Sequence, residues 1–234
     1  MTLLAIESSA RVCSVAIVKD EKLLCELFSD SGLTHSKTLM KMIDDAFSFS
    51  GIDFAEIDSI AVALGPGSYT GVRIGISCVK GLAHPNDIPC YGVSTLEAMA
   101  YNFLGINSTV CSVMDARCEQ VYAGIFSSNN SKIVSLSGDM ALPLNELIEK
   151  LDDPSLTRPI FLIGDGSDLV YSKLTEEQKK FVFLSPLSIR LQRAGSVAQA
   201  VFNNEKIELL RKSYKDLNPV YLRPSQAERN LKRS

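Results

Sequence analysis

The chain's 234 residues are 46% hydrophobic and 22% charged, a globular balance that excludes general disorder. A formal charge of −3 gives no overall pull toward nucleic acid or a membrane surface, and no apolar run reaches the roughly 18 residues of a spanning helix. Six cysteines, at positions 13, 25, 78, 90, 111 and 118, form no Cys-x-x-Cys pair and no zinc-spaced cluster, so a reduced, cytoplasmic protein is expected.

The first residues meet a carboxylate, Glu7, with no basic stretch before it, so no signal peptide is expected. Strands are predicted over 3–7, 13–18 and 22–28. Links this short imply antiparallel hairpins, since parallel neighbours need a crossover of a dozen or more residues. A helix follows over 35–49, then a buried strand over 60–64. The turn Gly65-Pro66-Gly67-Ser68-Tyr69-Thr70-Gly71 opens a second helix that runs to about Ala83. A strand near 90–93 leads to a third helix, opened by the capping box Ser94-Thr95-Leu96-Glu97. The pattern breaks at Gly105-Ile106-Asn107-Ser108. Strands then restart at 109–114 and 121–126, a second antiparallel opening that suggests a duplicated lobe. A polar hairpin tip at 127–132, a helix over 143–152, a loop over 152–159, a strand over 160–163, the turn Gly164-Asp165-Gly166-Ser167 and a helix near 188–203 follow. This order predicts an α/β chain with mixed sheets flanked by helices.

At 100° per residue, Leu39, Met40, Met42, Ile43, Ala46, Phe47 and Phe49 cover about half of the first helix, more than the stripe of somewhat over ~100° that a single core contact requires. On the second helix only Arg73, Ser77 and Lys80 form a polar strip, while Gly71, Gly75, Cys78 and Leu82 fall on one line. Small residues at that spacing let another backbone approach closely. Two readings stand: both helices are sandwiched in the fold, or they face a protein partner.

Signals for chemistry are sparse. The glycine-rich turn meets a helix N-terminus, where an anion is favoured, but Val72-Arg73 follow Gly71 where a P-loop has Lys-Ser/Thr. Leu39 stands where a metal-binding helix would place a second histidine after His35, and His84 suits a helix C-terminus. Glu7-Ser8-Ser9 and Asp115-Ala116-Arg117 each set an acid at a strand end, either holding a turn or serving a site. Residues 205–234 carry eight Lys/Arg against four Asp/Glu, either a solvated face or a contact for RNA phosphates.

Together, Ile6-Glu7-Ser8-Ser9, the block Gly65 to Gly75, Gly92-Val93-Ser94-Thr95-Leu96, Met114-Asp115-Ala116-Arg117 and Pro219-Val220-Tyr221-Leu222-Arg223 resemble the bacterial TsaB (YeaZ) family in order and spacing, from Met1 to about Glu228. The resemblance implies an actin-like, Hsp70-like sugar-kinase (ASKHA) fold: two related lobes, each a mixed sheet flanked by helices. Expected units are a first lobe at 1–104, a second at 105–218 and a tail at 219–234. It further implies a non-catalytic scaffold, without cofactor or metal, for threonylcarbamoyl transfer to the adenosine next to the anticodon in tRNAs reading codons that begin with A. The catalytic partner would be TsaD, with TsaE as ATPase through the complex, tRNA touched only indirectly, no membrane, and self-pairing through the same helices. The expected interface is Thr34, Leu39, Met42, Ile43, Ala46, Gly71, Ile74, Gly75, Cys78, Val79 and Leu82. The ATP-binding members carry a glycine in the first hairpin turn, where this chain has Glu7-Ser8-Ser9-Ala10-Arg11, and Asp115-Ala116-Arg117-Cys118 lacks one too. A kinase or metallopeptidase of the same superfamily, acting alone, is the alternative.

Overall fold

The computed structural model describes residues 1–204 and 207–223. Strand β1 (Thr2–Glu7) is buried along its whole length, because it lies between β2 (Cys13–Lys19), antiparallel to it, and β4 (Ser59–Ala63), parallel to it. With β3 (Lys22–Ser29), β5 (Cys90–Val93) and β12 (Arg211–Lys212) they form a six-stranded mixed sheet in the order β12-β5-β4-β1-β2-β3. Helices α1 (His35–Ser50) and α2 (Tyr69–Ala83) cover one face, burying Leu39, Ile43, Ala46, Val72, Ile76 and Val79 against Leu4, Ile6, Val15, Ile17 and Val62. Sheets wrapped on both faces read as unbroken apolar strands, which is why β1 and β4 carry no alternation.

The second sheet repeats the plan. Strands β6 (Ser108–Asp115) and β7 (Gln120–Ser128) form the antiparallel opening, and β10 (Ile160–Ile163) and β11 (Val182–Leu184) add parallel neighbours. Short strands β8 (Ile133–Ser135) and β9 (Met140–Pro143) pair with β7. Helices α4 (Leu144–Lys150) and α5 (Ser167–Lys173) cover this sheet. Ala10 and Val12 of the first hairpin join Val110, Met114, Phe126 and Ile163 of the second sheet around α3 (Thr95–Ala100), so a shared core ties the two halves.

Several expectations are corrected. The helix near 188–203 begins only at Ala194, as α6 (Ala194–Asn203), and α5, β8, β9 and β11 were not anticipated. Ser94 Oγ accepts from Glu97 N–H at 3.3 Å, but the Glu97 carboxylate meets Asn204 Nδ2 at 3.4 Å. The unit boundary also moves. Ala194, Val197, Ala198 and Val201 of α6 bury the far face of the first sheet against Leu3, Ala5, Ala16 and Ala61, and Leu217 is in the core beneath α1 and α2. Glu26 on β3 holds α6 in place: its carboxylate accepts from Gly195 N–H (2.9 Å) and Arg193 Nη2 (2.7 Å). Residues 194–204 and 207–218 thus pack with the first lobe rather than the second. The tail expected at 219–234 is described as far as Arg223; residues 224–234 lie outside the described residues.

Candidate functional site

β1 ends at Glu7, and Ser8-Ser9-Ala10 turn the chain into β2. The Ser9 N–H donates to Glu7 Oε1 (2.6 Å), and the Ser9 carbonyl accepts from Ser68 N–H (2.6 Å). Ser8 Oγ donates to the Gly71 carbonyl (3.0 Å). The glycine-rich loop therefore lies directly on the hairpin turn. A Cβ on Gly67 would stand 2.2 Å from the Ser9 carbonyl oxygen, one on Gly71 2.2 Å from that of Ser8, and one on Gly75 2.3 Å from Ser8 Oγ. The small-residue line of α2 serves this internal approach: Gly71 and Gly75 pack on the Ser8 turn. His35 closes the same junction, its Nε2 2.7 Å from the Ala10 carbonyl, which fixes the proton on that nitrogen.

The motif block Pro219 to Arg223 lies across the glycine-rich loop. Val220 N–H donates to the Leu64 carbonyl (2.8 Å), and its own carbonyl oxygen would stand 2.7 Å from a Cβ on Gly65. Tyr221 stacks on Tyr69 with ring centroids 4.7 Å apart, and Arg73 Nε donates to the Tyr221 hydroxyl at 2.7 Å. Arg73 also lies 3.9 Å above the Tyr69 ring. Arg223 Nη1 reaches the Ala116 carbonyl at 3.5 Å, so the segment spans from the first lobe to the turn between β6 and β7.

Of the residues expected at a partner interface, Leu39, Ile43, Ala46 and Val79 are core, each at most 2% exposed. They pack on the sheet because the wide apolar arc of α1 meets β2 and β3 below and α2 beside it. Thr34 is exposed, and Met42, Ile74, Cys78 and Leu82 are half-buried. Leu33 and Met40 join them at the surface, 59% and 48% exposed, with Cys78 Sγ 3.4 Å from Met40 Sδ. Leu33 and the Tyr69–Arg73–Tyr221 cluster escaped the sequence reading because neither has a periodic signal. Leu33, Thr34, Thr70 and Ile74 rim a hollow of about 220 Å³ between the starts of α1 and α2.

A second hollow of about 370 Å³ opens between the lobes, lined by Arg11, Asp30, Asp115, Arg117, Asp165, Asp168, Arg190 and Gln192 among others. Here the second turn repeats the first: Arg117 N–H donates to Asp115 Oδ1 at 2.7 Å, as Ser9 N–H does to Glu7. Arg117, Cys118 and Glu119 hold this turn with φ of 66°, 54° and 54°. Burial pushes the Glu7 carboxyl up to about 7, with the nearby Asp165 charge adding to it. The crowded cleft walls raise Asp165 as well, by desolvation first, although its side chain keeps access to solvent at the mouth.

Each turn that could offer an amide to a phosphate has closed one on its own carboxylate. Among the described residues no group of His, Cys, Asp and Glu is arranged to hold a metal ion, and Leu39, where a second histidine would stand, is core. No helix is long and apolar enough to cross a membrane among the described residues.

The family model described as TsaD, tRNA N6-adenosine threonylcarbamoyltransferase, matches residues 30–227. The tRNA threonylcarbamoyladenosine biosynthesis protein TsaB of Bacillus subtilis (strain 168) is 28% identical over 228 residues, which cover 97% of this chain and 96% of that protein. The solved structure of YeaZ from Pseudomonas aeruginosa superposes with a TM-score of 0.78 at 27% identity, covering 94% of this chain and 99% of that one. An activator of 2-hydroxyisocaproyl-CoA dehydratase from Clostridium difficile shares the fold alone, with a TM-score of 0.51 at 9% identity over 89% of this chain and 96% of that one. Two mixed sheets flanked by helices are thus the actin-like, Hsp70-like sugar-kinase fold.

Proposed function

Since the chain belongs to the TsaB (YeaZ) family of tRNA threonylcarbamoyladenosine biosynthesis proteins, we propose that it serves that pathway as a non-catalytic partner, docking a TsaD-type catalytic subunit on α1 and α2. The observation that carries this reading is the paired closure of the two hairpin turns. Ser9 and Arg117 amides, placed at the ends of β1 and β6, are held by Glu7 and Asp115 and leave a carboxylate where a phosphate would need donors. A lone kinase is disfavoured by the same arrangement, and a metallopeptidase by the core position of Leu39.

Docking falls on the surface side of the helix pair: Leu33, Thr34, Met40, Ile74, Cys78 and Leu82. This face is apolar and adjoins a hollow able to take one partner side chain, the arrangement in which a few anchors supply most of the binding energy. A TsaE-type ATPase joins through that complex, tRNA is reached through the partner, and a second copy of the chain competes for the same face.

The test is light scattering on a sizing column with the TsaD-type subunit of the same organism. Wild type is expected to form a complex. Leu33→Asp with Met40→Asp is expected to weaken it about 100-fold at unchanged thermal stability, since both side chains are exposed. A wild-type chain that stays alone removes the scaffold reading; undiminished binding by the folded double variant removes this face.

A further inference from the structure

We propose that the cleft between the two lobes binds a guanidinium or primary ammonium group through Asp115, Asp165 and Gln192. The electrostatics of the cleft run opposite to those of a phosphate cradle. Two of its acids are already matched: Asp30 by Arg11 (2.5 Å) and Asp168 by Arg190 (3.2 Å). Asp115 commits Oδ1 to Arg117 N–H, and Asp165 commits Oδ1 to Gln192 Nε2 (3.1 Å). Both carboxylates are exposed to the cleft, so each can be reached by a ligand from solution.

Gln192 points to the ligand independently. Its side chain is fully buried, and its Oε1 has no partner among the described residues. The bond from Nε2 to Asp165 fixes the amide: turned over, it would set its oxygen against a carboxylate. The amide carbonyl is therefore a buried acceptor in the cleft wall beside Asp165, without a donor among the described residues. A buried acceptor left unmade is unfavourable, so the site is completed by a group that brings N–H donors. Three acceptors and a surplus of acid select positive charge. Burial and mutual repulsion raise Asp165, and the Asp165 charge in turn raises Glu7, so a cation relieves both. A guanidinium or ammonium group suits the three acceptors because it brings several N–H donors at once, one for each. Arg117 at the rim offsets part of the charge without closing the cleft.

Two sources supply this chemistry. One is a small alkylguanidinium or alkylammonium from solution. The other is the chain itself, which leaves the described residues at Arg223, bonded to Ala116 next to Asp115, and carries Arg229, Lys232 and Arg233 beyond it.

The experiment uses the full chain with agmatine as probe, read as a thermal midpoint against matched sodium chloride. About 5 mM agmatine is expected to raise the midpoint by about 2–4 °C, in wild type if the cleft is open to solution. If the chain's own end fills the cleft, the rise appears only in the full-length variant with Arg229, Lys232 and Arg233 changed to Gln. Asp165→Asn and, separately, Gln192→Ala are expected to abolish the rise, so one poorly folding variant does not decide the matter. No rise in wild type or the tail variant overturns the proposal. So does an equal rise in both cleft variants, or a larger rise with magnesium ATP than with agmatine. These outcomes are independent of whether a TsaD-type subunit binds.

Discussion

A Gly71→Ala variant is expected to lose about 3 kcal/mol of stability or more, although alanine is ordinarily worth about 1 kcal/mol over glycine inside a helix. The reversal has a steric cause. The added Cβ would stand 2.2 Å from the backbone carbonyl oxygen of Ser8, and that turn is locked by Ser9 accepting from Ser68 and by Ser8 Oγ donating to Gly71. Neither backbone can retreat without breaking those bonds. Gly81 in the same helix supplies the control: nothing lies within 4 Å of its Cβ position, so Gly81→Ala is expected to stabilise by about 0.5–1 kcal/mol. Urea midpoints of the two variants check the contrast. Similar midpoints would mean that α2 does not lie against the hairpin turn.

A Glu7→Gln variant is expected to be more stable than wild type at pH 8 by up to about 3 kcal/mol, an advantage that vanishes toward pH 4.5. Glu7 titrates near 7 in the fold, because burial disfavours its charged form, against 4.5 without that burial. The folded state thus binds the proton more tightly than the unfolded state. The stability this confers is fully present below 4.5 and is lost as pH rises through 7. Glutamine keeps an oxygen for the Ser9 N–H but never ionises. Unfolding curves between pH 4.5 and 8 decide: parallel pH slopes for variant and wild type would show that Glu7 does not carry this effect.

Much of the architecture was legible because local pattern and fold agree. Short polar links marked the β1–β2 and β2–β3 hairpins, and α1 was foreseen to within a residue of its observed end at Ser50. A few short elements were lost, such as the three-residue β11 and the seven-residue α5, because those stretches contain no usable period. The apolar arcs of α1 and α2 were read correctly in width but not in direction. An arc reports how much surface wants to leave water, not whether a sheet, a neighbouring helix or another protein covers it. Leu39, Ile43 and Val79 are claimed by the sheet, Gly71 and Gly75 by the Ser8 turn, and only the flank from Leu33 to Leu82 remains outside. Of the cleft acids, Asp115 was visible as a strand-end carboxylate and Asp165 only as part of the turn Gly164-Asp165-Gly166-Ser167. Their meeting with Gln192 depends on a return of the chain that no local pattern announces.

That return bears on how the protein is made. The first sheet starts at residue 2, yet α6, which covers its far face, ends at Asn203, and its outermost strand β12 is Arg211–Lys212. At roughly 5–20 residues per second, a ribosome needs on the order of ten to forty seconds to deliver that cover. Until then Leu3, Ala5, Ala16, Ala61 and Val93 present an open apolar surface in the nascent chain. The first lobe therefore waits for α6, at Ala194–Asn203, before its far face is covered, and a chain truncated before Ala194 is expected to be a sticky fragment and not a smaller working protein.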